Sequence, residues 1–340
     1  MDRLSPFARI ERTPVSQLSD AFGRQITYLR LSVTDRCNLR CHYCMRDEVK
    51  FLPKPDVLSI EEMERLCDAF IRLGIRKLRL TGGEPLVRHG AMTLIERLGT
   101  RVASGELDEL TLTTNGTLLA RHATALAAAG VRRVNVSLDT LDEVTFRHIT
   151  HRDGLPEVLA GIDAARAAGL SVRINTVALA GINDSEFDKL IHWCGEHGCD
   201  MAMIEMMPLG GLGAEQYLPL DLVRWNLSHR WTLIPTETKT GGPCRYWSVA
   251  ETGRQVGFIT PMSHGFCGAC NRVRVTCTGR LVPCMAQQGG VDLRGALRGS
   301  EADDRLEAQI LAAINAKPAG HSFAVGATAG DAQRMWQLGG

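Results

Sequence analysis

Tyr28-Leu-Arg-Leu-Ser-Val-Thr34 runs straight into Asp35-Arg-Cys37-Asn-Leu-Arg-Cys41-His-Tyr-Cys44, so a strand-forming run is followed at once by a loop with three closely spaced cysteines. The run is rich in residues that favour extended backbone. The Cys-x3-Cys-x2-Cys spacing suits three irons of a [4Fe–4S] cube and leaves the fourth iron open to a ligand that is not protein. A zinc knuckle normally takes four protein ligands, and a disulfide with a spare thiol suits an exported domain.

Working outward, short β-branched runs alternate with longer amphipathic ones from residue 26 to 207, the pattern of βα units around a parallel sheet. The candidate strands are Tyr28–Thr34, Lys77–Thr81, Leu110–Thr114, Arg133–Leu138, Val172–Val177 and Met201–Met207. Ser59-Ile-Glu-Glu62 has the capping-box pattern of a helix start. Six units predict an incomplete (β/α)6 barrel, short of the eight that close one, with ligands gathered at the carboxyl ends of the strands. From about residue 218 the periodicity gives way to short β-like pieces (Arg245–Val249, Val256–Ile259, Arg272–Cys277, Arg280–Pro283) and a helix near Asp304–Asn315. The expected fold class is therefore α/β, with residues 1–217 as the partial barrel. Residues 218–316 form a smaller α+β region over its open side, and 317–340 form a tail ending in Gly-Gly.

That second region holds another cysteine set, Cys267, Cys270 and Cys284, spaced Cys-x2-Cys-x13-Cys. Spacing alone fits a zinc ribbon, completed by Cys277 or Cys244, as well as it fits a second iron–sulfur cluster. The remaining cysteines, Cys67 and Cys194 and Cys199 among them, read as small buried hydrophobes.

A chain of 340 residues is large enough for one sizeable domain and a smaller one. A net charge of +1 gives no global field for nucleic acid as a bulk partner, although a local cationic pocket fits. No apolar run approaches the ~20 residues that span a bilayer, and the first residues do not read as a secretory signal. Eleven cysteines in such a chain suit a reducing compartment, and the expected location is the cytoplasm.

Gly82-Gly83 ends its strand without Cβ atoms, either as a plain turn or as a place where backbone meets a ligand. Arg30, Arg79 and Arg173 fall within candidate strands, facing either solvent or a ligand. Arg272 and Arg274, two apart on an extended segment, share one face.

Six segments in order carry a resemblance. They are 31–45 with the first cysteine loop, Leu-Thr-Gly-Gly-Glu-Pro-Leu (80–86), Leu-Thr-Thr-Asn-Gly (112–116), Asn-Val-Ser-Leu-Asp (135–139), the second cysteine set, and terminal Gly339-Gly340. The chain resembles the GTP 3′,8-cyclase family of radical S-adenosylmethionine (SAM) enzymes, which opens molybdenum cofactor biosynthesis, from about Arg24 to the C-terminus. The resemblance implies two [4Fe–4S] clusters, on Cys37, Cys41 and Cys44 and on Cys267, Cys270 and Cys284. It implies SAM contacts from Tyr43, Gly83, Ser137 and Met207. GTP contacts would come from Arg30, Arg79, Thr113, Arg173, Arg272 and Arg274, with Lys77 a weaker candidate, and a catalytic role falls to Gly339 and Gly340.

The implied reaction cleaves SAM to a 5′-deoxyadenosyl radical, abstracts the 3′ hydrogen of GTP and joins C3′ to C8, giving (8S)-3′,8-cyclo-7,8-dihydroguanosine 5′-triphosphate. The second cluster would hold the guanine. The resemblance further implies a reducing electron donor, a downstream enzyme that forms cyclic pyranopterin, and a homodimer. Two departures stand out: Arg173 replaces a frequent lysine, and Ala202 replaces an arginine that contacts substrate in some relatives. A peptide-modifying radical SAM enzyme would share the first motif and the barrel, but usually carries more cysteines and does not account for Arg272, Arg274 or Gly-Gly. A zinc-ribbon regulator with a redox-sensing cluster would bind zinc and leave SAM intact.

Overall fold

The computed structural model describes residues 18–45, 49–208, 213–286, 289–321, 323 and 335–339. The barrel half runs β1 (Tyr28–Ser32), α1 (Ile60–Arg72), β2 (Lys77–Thr81), α2 (Ala91–Ala103), β3 (Glu109–Thr114), α3 (Leu119–Ala128), β4 (Arg133–Ser137), α4 (Glu143–Thr150), α5 (Leu155–Ala167), β5 (Ser171–Ala178), α6 (Phe187–Glu196) and β6 (Asp200–Glu205). The rest contributes α7 (Leu220–Leu227), β7 (Leu233–Pro235), β8 (Arg245–Val249), β9 (Arg254–Ile259), β10 (Arg272–Val275), β11 (Arg280–Val282), β12 (Val291–Asp292), α8 (Arg294–Gly299), α9 (Asp304–Asn315) and α10 (Met335–Leu338).

The two faces of the barrel strands explain the architecture. On one face Leu29, Leu31, Leu78, Leu80, Leu110, Leu112, Val134, Val136, Val172, Ile174, Met201 and Met203 are buried in one core with the apolar stripes of the helices, such as Met63, Leu66 and Phe70 of α1. Each such aliphatic side chain contributes about 1.5–3 kcal/mol on burial. In the first five strands the intervening positions are polar, among them Arg30, Arg79, Thr113, Asn135 and Arg173. Parallel sheets covered on both faces read as continuous apolar runs, so this alternation marks an inner face that lines a cavity. The capping box at α1 is formed, with Ser59 Oγ accepting from the Glu62 amide at 3.1 Å and the Glu62 carboxylate accepting from the Ser59 amide at 2.7 Å.

All twelve strands join one sheet in the order β12-β11-β10-β1-β2-β3-β4-β5-β6-β9-β8-β7. The C-terminal strands do not build a separate cover: β10 pairs in parallel with β1, and β9 in parallel with β6. Six parallel strands leave two edges of unpaired backbone groups, and the second region satisfies both. The sheet thus runs through the expected boundary at 217. Helix α7 and strands β7 and β12 went unread in the sequence because each is short and weakly periodic. Several expected strands end early. Tyr28–Thr34 stops at Ser32, and Met201–Met207 stops at Glu205, because the chain turns there into the loops that carry the site. Among the described residues no helix is long and apolar enough to cross a membrane.

Candidate active site

The polar faces of the parallel strands and the loops at their carboxyl ends enclose a cavity whose lining includes both cysteine sets. Register builds its centre. Arg30 pairs with Arg274 on one side and Arg79 on the other, and one pleat away Tyr28 pairs with Arg272 and Lys77. Parallel partners share a face, so guanidinium groups from three strands stand together.

Arg79 and Arg274 are buried, and the Nε of each has no hydrogen-bond partner. Burial pushes Arg79 down to about 10. Burial, with Arg272 beside it, does the same to Arg274. Arg30 falls well below the ordinary arginine value through burial and then the nearby Arg274. Burial alone would raise the Tyr28 phenol, yet Arg79, Arg30, Lys77 and Arg272 together pull it below its usual value. Thr113 Oγ1 and Arg173 Nε are also buried without partners. Guanidinium groups that are desolvated, mutually repelling and poorly neutralised favour a bound polyanion. Lys77 differs, since its ammonium is neutralised by Glu109 at 2.6 Å and donates to the Thr240 carbonyl at 2.5 Å.

Ala202 is fully buried against Cys244 and Tyr246. The Tyr246 hydroxyl accepts from Arg173 and bonds the Thr240 hydroxyl at 3.0 Å. The strand beside Ala202 thus carries a guanidinium held by a tyrosine hydroxyl.

The first cysteine loop is held by glycines. The Gly83 amide donates to the Thr34 carbonyl at 2.9 Å and the Glu84 amide to the Arg36 carbonyl at 2.8 Å. A Cβ on Gly83 would collide with the Arg36 carbonyl, and one on Gly82 would stand 2.8 Å from the Thr34 carbonyl oxygen. The pair is therefore required for the end of β2 to lie against the loop, besides exposing Gly83 to the cavity. Fully buried Glu84 accepts from the Asn115 amide at 2.6 Å and from Thr114 Oγ1 at 2.8 Å. Burial pushes it up to about 7. Asn115 Nδ2 in turn lies 3.7 Å from Cys37 Sγ. The Tyr43 hydroxyl donates to Asp139 at 2.8 Å, and the other Asp139 oxygen accepts from the Val177 amide at 2.8 Å. Burial holds Asp139 up at about 6. Ser137 and Met207 line the same cavity.

The thiols of the two sets differ electrically. Burial raises Cys37, raises Cys41 well above the usual value and pushes Cys44 up to about 12. Burial would also raise Cys270, but the ammonium of Lys317 and the guanidinium of Arg272 outweigh it and bring the thiol below its ordinary value. Arg24, ion-paired to Asp20 at 2.5 Å, donates to the Cys267 carbonyl at 2.8 Å.

The donor sets fit iron–sulfur cubes. All six cysteines are free and only partly buried. Among the described residues no three His, Cys, Asp or Glu groups converge tightly enough to hold one metal ion. A cube needs no such convergence, because each thiolate takes a different iron. Cys277 is buried in the apolar core at 2 % exposure, which sets it apart from the cavity-lining thiols.

The six cysteines of the two sets line this cavity, as do Tyr43, Gly83, Ser137 and Met207 and the GTP-contact candidates Arg30, Arg79, Thr113, Arg173, Arg272 and Arg274; Lys77 does not. Gly339 reaches it differently: its carbonyl accepts from Arg30 at 2.9 Å, and a Cβ there would collide with Thr81 Oγ1. Gly340 lies outside the described residues. Sequence reasoning missed Arg24, Glu84, Asp139, Tyr246 and Lys317. Glu84 and Asp139 stand inside quoted motifs, and a carboxylate closing an otherwise apolar strand run was the signal available for them.

The chain matches the Radical SAM superfamily over residues 31–194 and the Molybdenum Cofactor Synthesis C family over residues 199–323. It is 55% identical over 313 residues to the GTP 3′,8-cyclase of Bradyrhizobium diazoefficiens, covering 91% of each chain. It is 55% identical over 310 residues to that of Paracoccus denitrificans, covering 90% of each. Among solved structures, Streptococcus suis SuiB bound to S-adenosylmethionine is similar with a TM-score of 0.61 at 16% identity, covering 85% of this chain and 67% of that one. At that identity the likeness concerns the fold alone. The chain belongs to the GTP 3′,8-cyclase family of the radical SAM superfamily.

Proposed function

We propose that this member of the family converts GTP to (8S)-3′,8-cyclo-7,8-dihydroguanosine 5′-triphosphate, the reaction that feeds molybdenum cofactor assembly. The observation that carries the reading is the in-register face of Arg274, Arg30 and Arg79 standing in one cavity between two cysteine triads. Bound [4Fe–4S] clusters and SAM would supply the electron and the 5′-deoxyadenosyl radical. The protein supplies placement. Cys37, Cys41 and Cys44 would hold one cluster and Cys267, Cys270 and Cys284 the other. Tyr43, Gly83, Ser137 and Met207 would seat SAM.

The unpartnered guanidinium nitrogens of Arg79, Arg173 and Arg274 support a phosphate-binding role, with Arg30, Arg272 and the Thr113 hydroxyl completing the GTP set. Charge-assisted bonds to phosphate oxygens are the strong ones, and fixing the ribose over the reacting face is catalysis by orientation. The contact of Gly339 with Arg30 supports a role for the Gly339-Gly340 tail in closing the cavity against water and stray hydrogen donors.

Lys77, already paired, fits an indirect role. We divide the chain functionally into barrel (1–217), auxiliary-cluster region (218–316) and tail (317–340). A reducing electron donor, transfer of product to a cyclic pyranopterin-forming enzyme, a homodimer and a cytoplasmic location complete the proposal.

The deciding experiment is anaerobic. The chain is reconstituted with iron and sulfide, reduced and given SAM, and 5′-deoxyadenosine is quantified with and without GTP beside Cys267→Ala. GTP-dependent deoxyadenosine with a product convertible to a pterin, lost in the variant, is expected. SAM cleavage indifferent to GTP would overturn the substrate and turn attention to peptides.

A further inference from the structure

The second cysteine set is split between two stretches of chain. Cys270 leads into β10, and Cys284 follows Pro283 at the end of the returning strand β11. The β10–β11 ladder covers Arg274 with Val282 and Val275 with Leu281 and stops short of both cysteines.

Lys317 spans that gap. It follows α9 and is 3 % exposed. Its ammonium donates to the Arg272 carbonyl at 3.0 Å and to the Pro283 carbonyl at 2.6 Å, joining the chain just after Cys270 to the chain just before Cys284. Arg24 clamps the same segment, donating to the Ala319 carbonyl at 2.8 Å, the Pro318 carbonyl at 2.5 Å and the Cys267 carbonyl at 2.8 Å. Each cysteine of the set therefore sits beside a carbonyl tied down by a buried cation.

The charge is as informative as the geometry. Arg24 has Asp20 as its counter-ion. Among the described residues no carboxylate pairs with Lys317; its ammonium meets the two carbonyls and the Cys270 thiol. Burying an ammonium with only neutral partners is costly, and a cube ligated by three thiolates carries the compensating negative charge. A bridge between two loops needs only a donor; a positive charge in this place has a further use.

We propose that Lys317 is a positioning residue for the second cluster, bridging the two halves of its cysteine set and supplying the positive charge that offsets the thiolate-ligated cube. This rests on the reading of Cys267, Cys270 and Cys284 as cluster ligands. Lys317 lies in the segment that the sequence presents as a tail, so the auxiliary site includes residues beyond α9.

The test uses the full chain reconstituted anaerobically as wild type, Lys317→Met, Lys317→Gln and Lys317→Arg. Iron per chain, the electron paramagnetic resonance signal of each reduced cluster and the midpoint potential of the second cluster are measured. Wild type should hold about eight irons and Lys317→Met about four, with the first cluster's SAM-induced spectral change intact. Lys317→Gln, which keeps a donor without the charge, should retain more iron than Lys317→Met but show a more negative potential. Lys317→Arg should restore both iron content and potential. Lys317→Met or Lys317→Gln with full iron and an unshifted potential would overturn the proposal, and if Lys317→Met fails to fold, Lys317→Gln decides. Wild type with only about four irons would instead overturn the cluster reading beneath it.

Discussion

The two cysteine triads offer the same donor atoms in different electrical surroundings. Around the first, buried Glu84 and Asp139 lie close and all three thiols sit above their ordinary values. Around the second, Arg24, Arg272, Arg274 and Lys317 gather, and Cys270 is drawn down. The contrast matches ligands of opposite charge, since SAM carries a cationic sulfonium and GTP a polyanionic triphosphate. The raised thiols of the first loop also mean that iron must displace protons to bind there.

The sharpest way to break the contrast is at the hinge of the first loop. Gly83→Ala forces a Cβ into the Arg36 carbonyl, so SAM cleavage should drop to background and reconstituted iron should fall by about half, to the four of one cluster. Iron analysis with deoxyadenosine counting checks both; unchanged iron would detach the glycine from the loop. On the cationic side, Arg274→Ala should weaken GTP binding about 10- to 100-fold, as expected for one lost charge-assisted contact, while SAM affinity holds. Titration calorimetry with each ligand separates the two, and equal losses for SAM and GTP would dissolve the contrast.

Gly339→Ala combines a left-handed backbone (φ 81°) with a collision at Thr81. Product formation should fall about 10-fold with SAM binding kept. Extending the chain beyond Gly340 should act in the same direction, read by product quantification.

The smallest effect concerns pH. Asp139 titrates near 6 when folded against 3.8 as a free side chain. Its folded value is raised, so its contribution to stability is full below about pH 4 and is lost as pH rises through 6, by at most about 3 kcal/mol. Urea unfolding of the metal-free chain should show that decline added to the one from Glu84, which burial also raises, and Asp139→Asn should remove the Asp139 share and leave that of Glu84.

The barrel was legible because its first five strands alternate. Leu78 and Leu80 against Arg79, or Val134 and Val136 against Asn135, state both the strand and the face that lines the cavity. The cysteine loops were legible because their ligands lie within a few residues of one another. What the alternation does not carry is which edge a late strand joins. That Arg274 would stand beside Arg30 depends on β10 returning to β1 across more than two hundred residues, and no local propensity encodes such a pairing. Lys317 was invisible for the same reason: after a helix, in a segment of Pro, Ala and Gly, a lysine reads as solvated.

The sequence by itself determined the βα alternation, the two thiol sets and the family, because these depend on residue type and short spacing. Only the tertiary structure decided that the C-terminal strands complete both edges of the barrel sheet. It also decided that arginines from β1, β2 and β10 meet in register, and that Arg24 and Lys317 brace the second triad. Those facts arise from edge pairing and buried charge compensation between residues far apart in the chain, which are settled when the backbone hydrogen bonds and the desolvated charges of the whole fold are satisfied together.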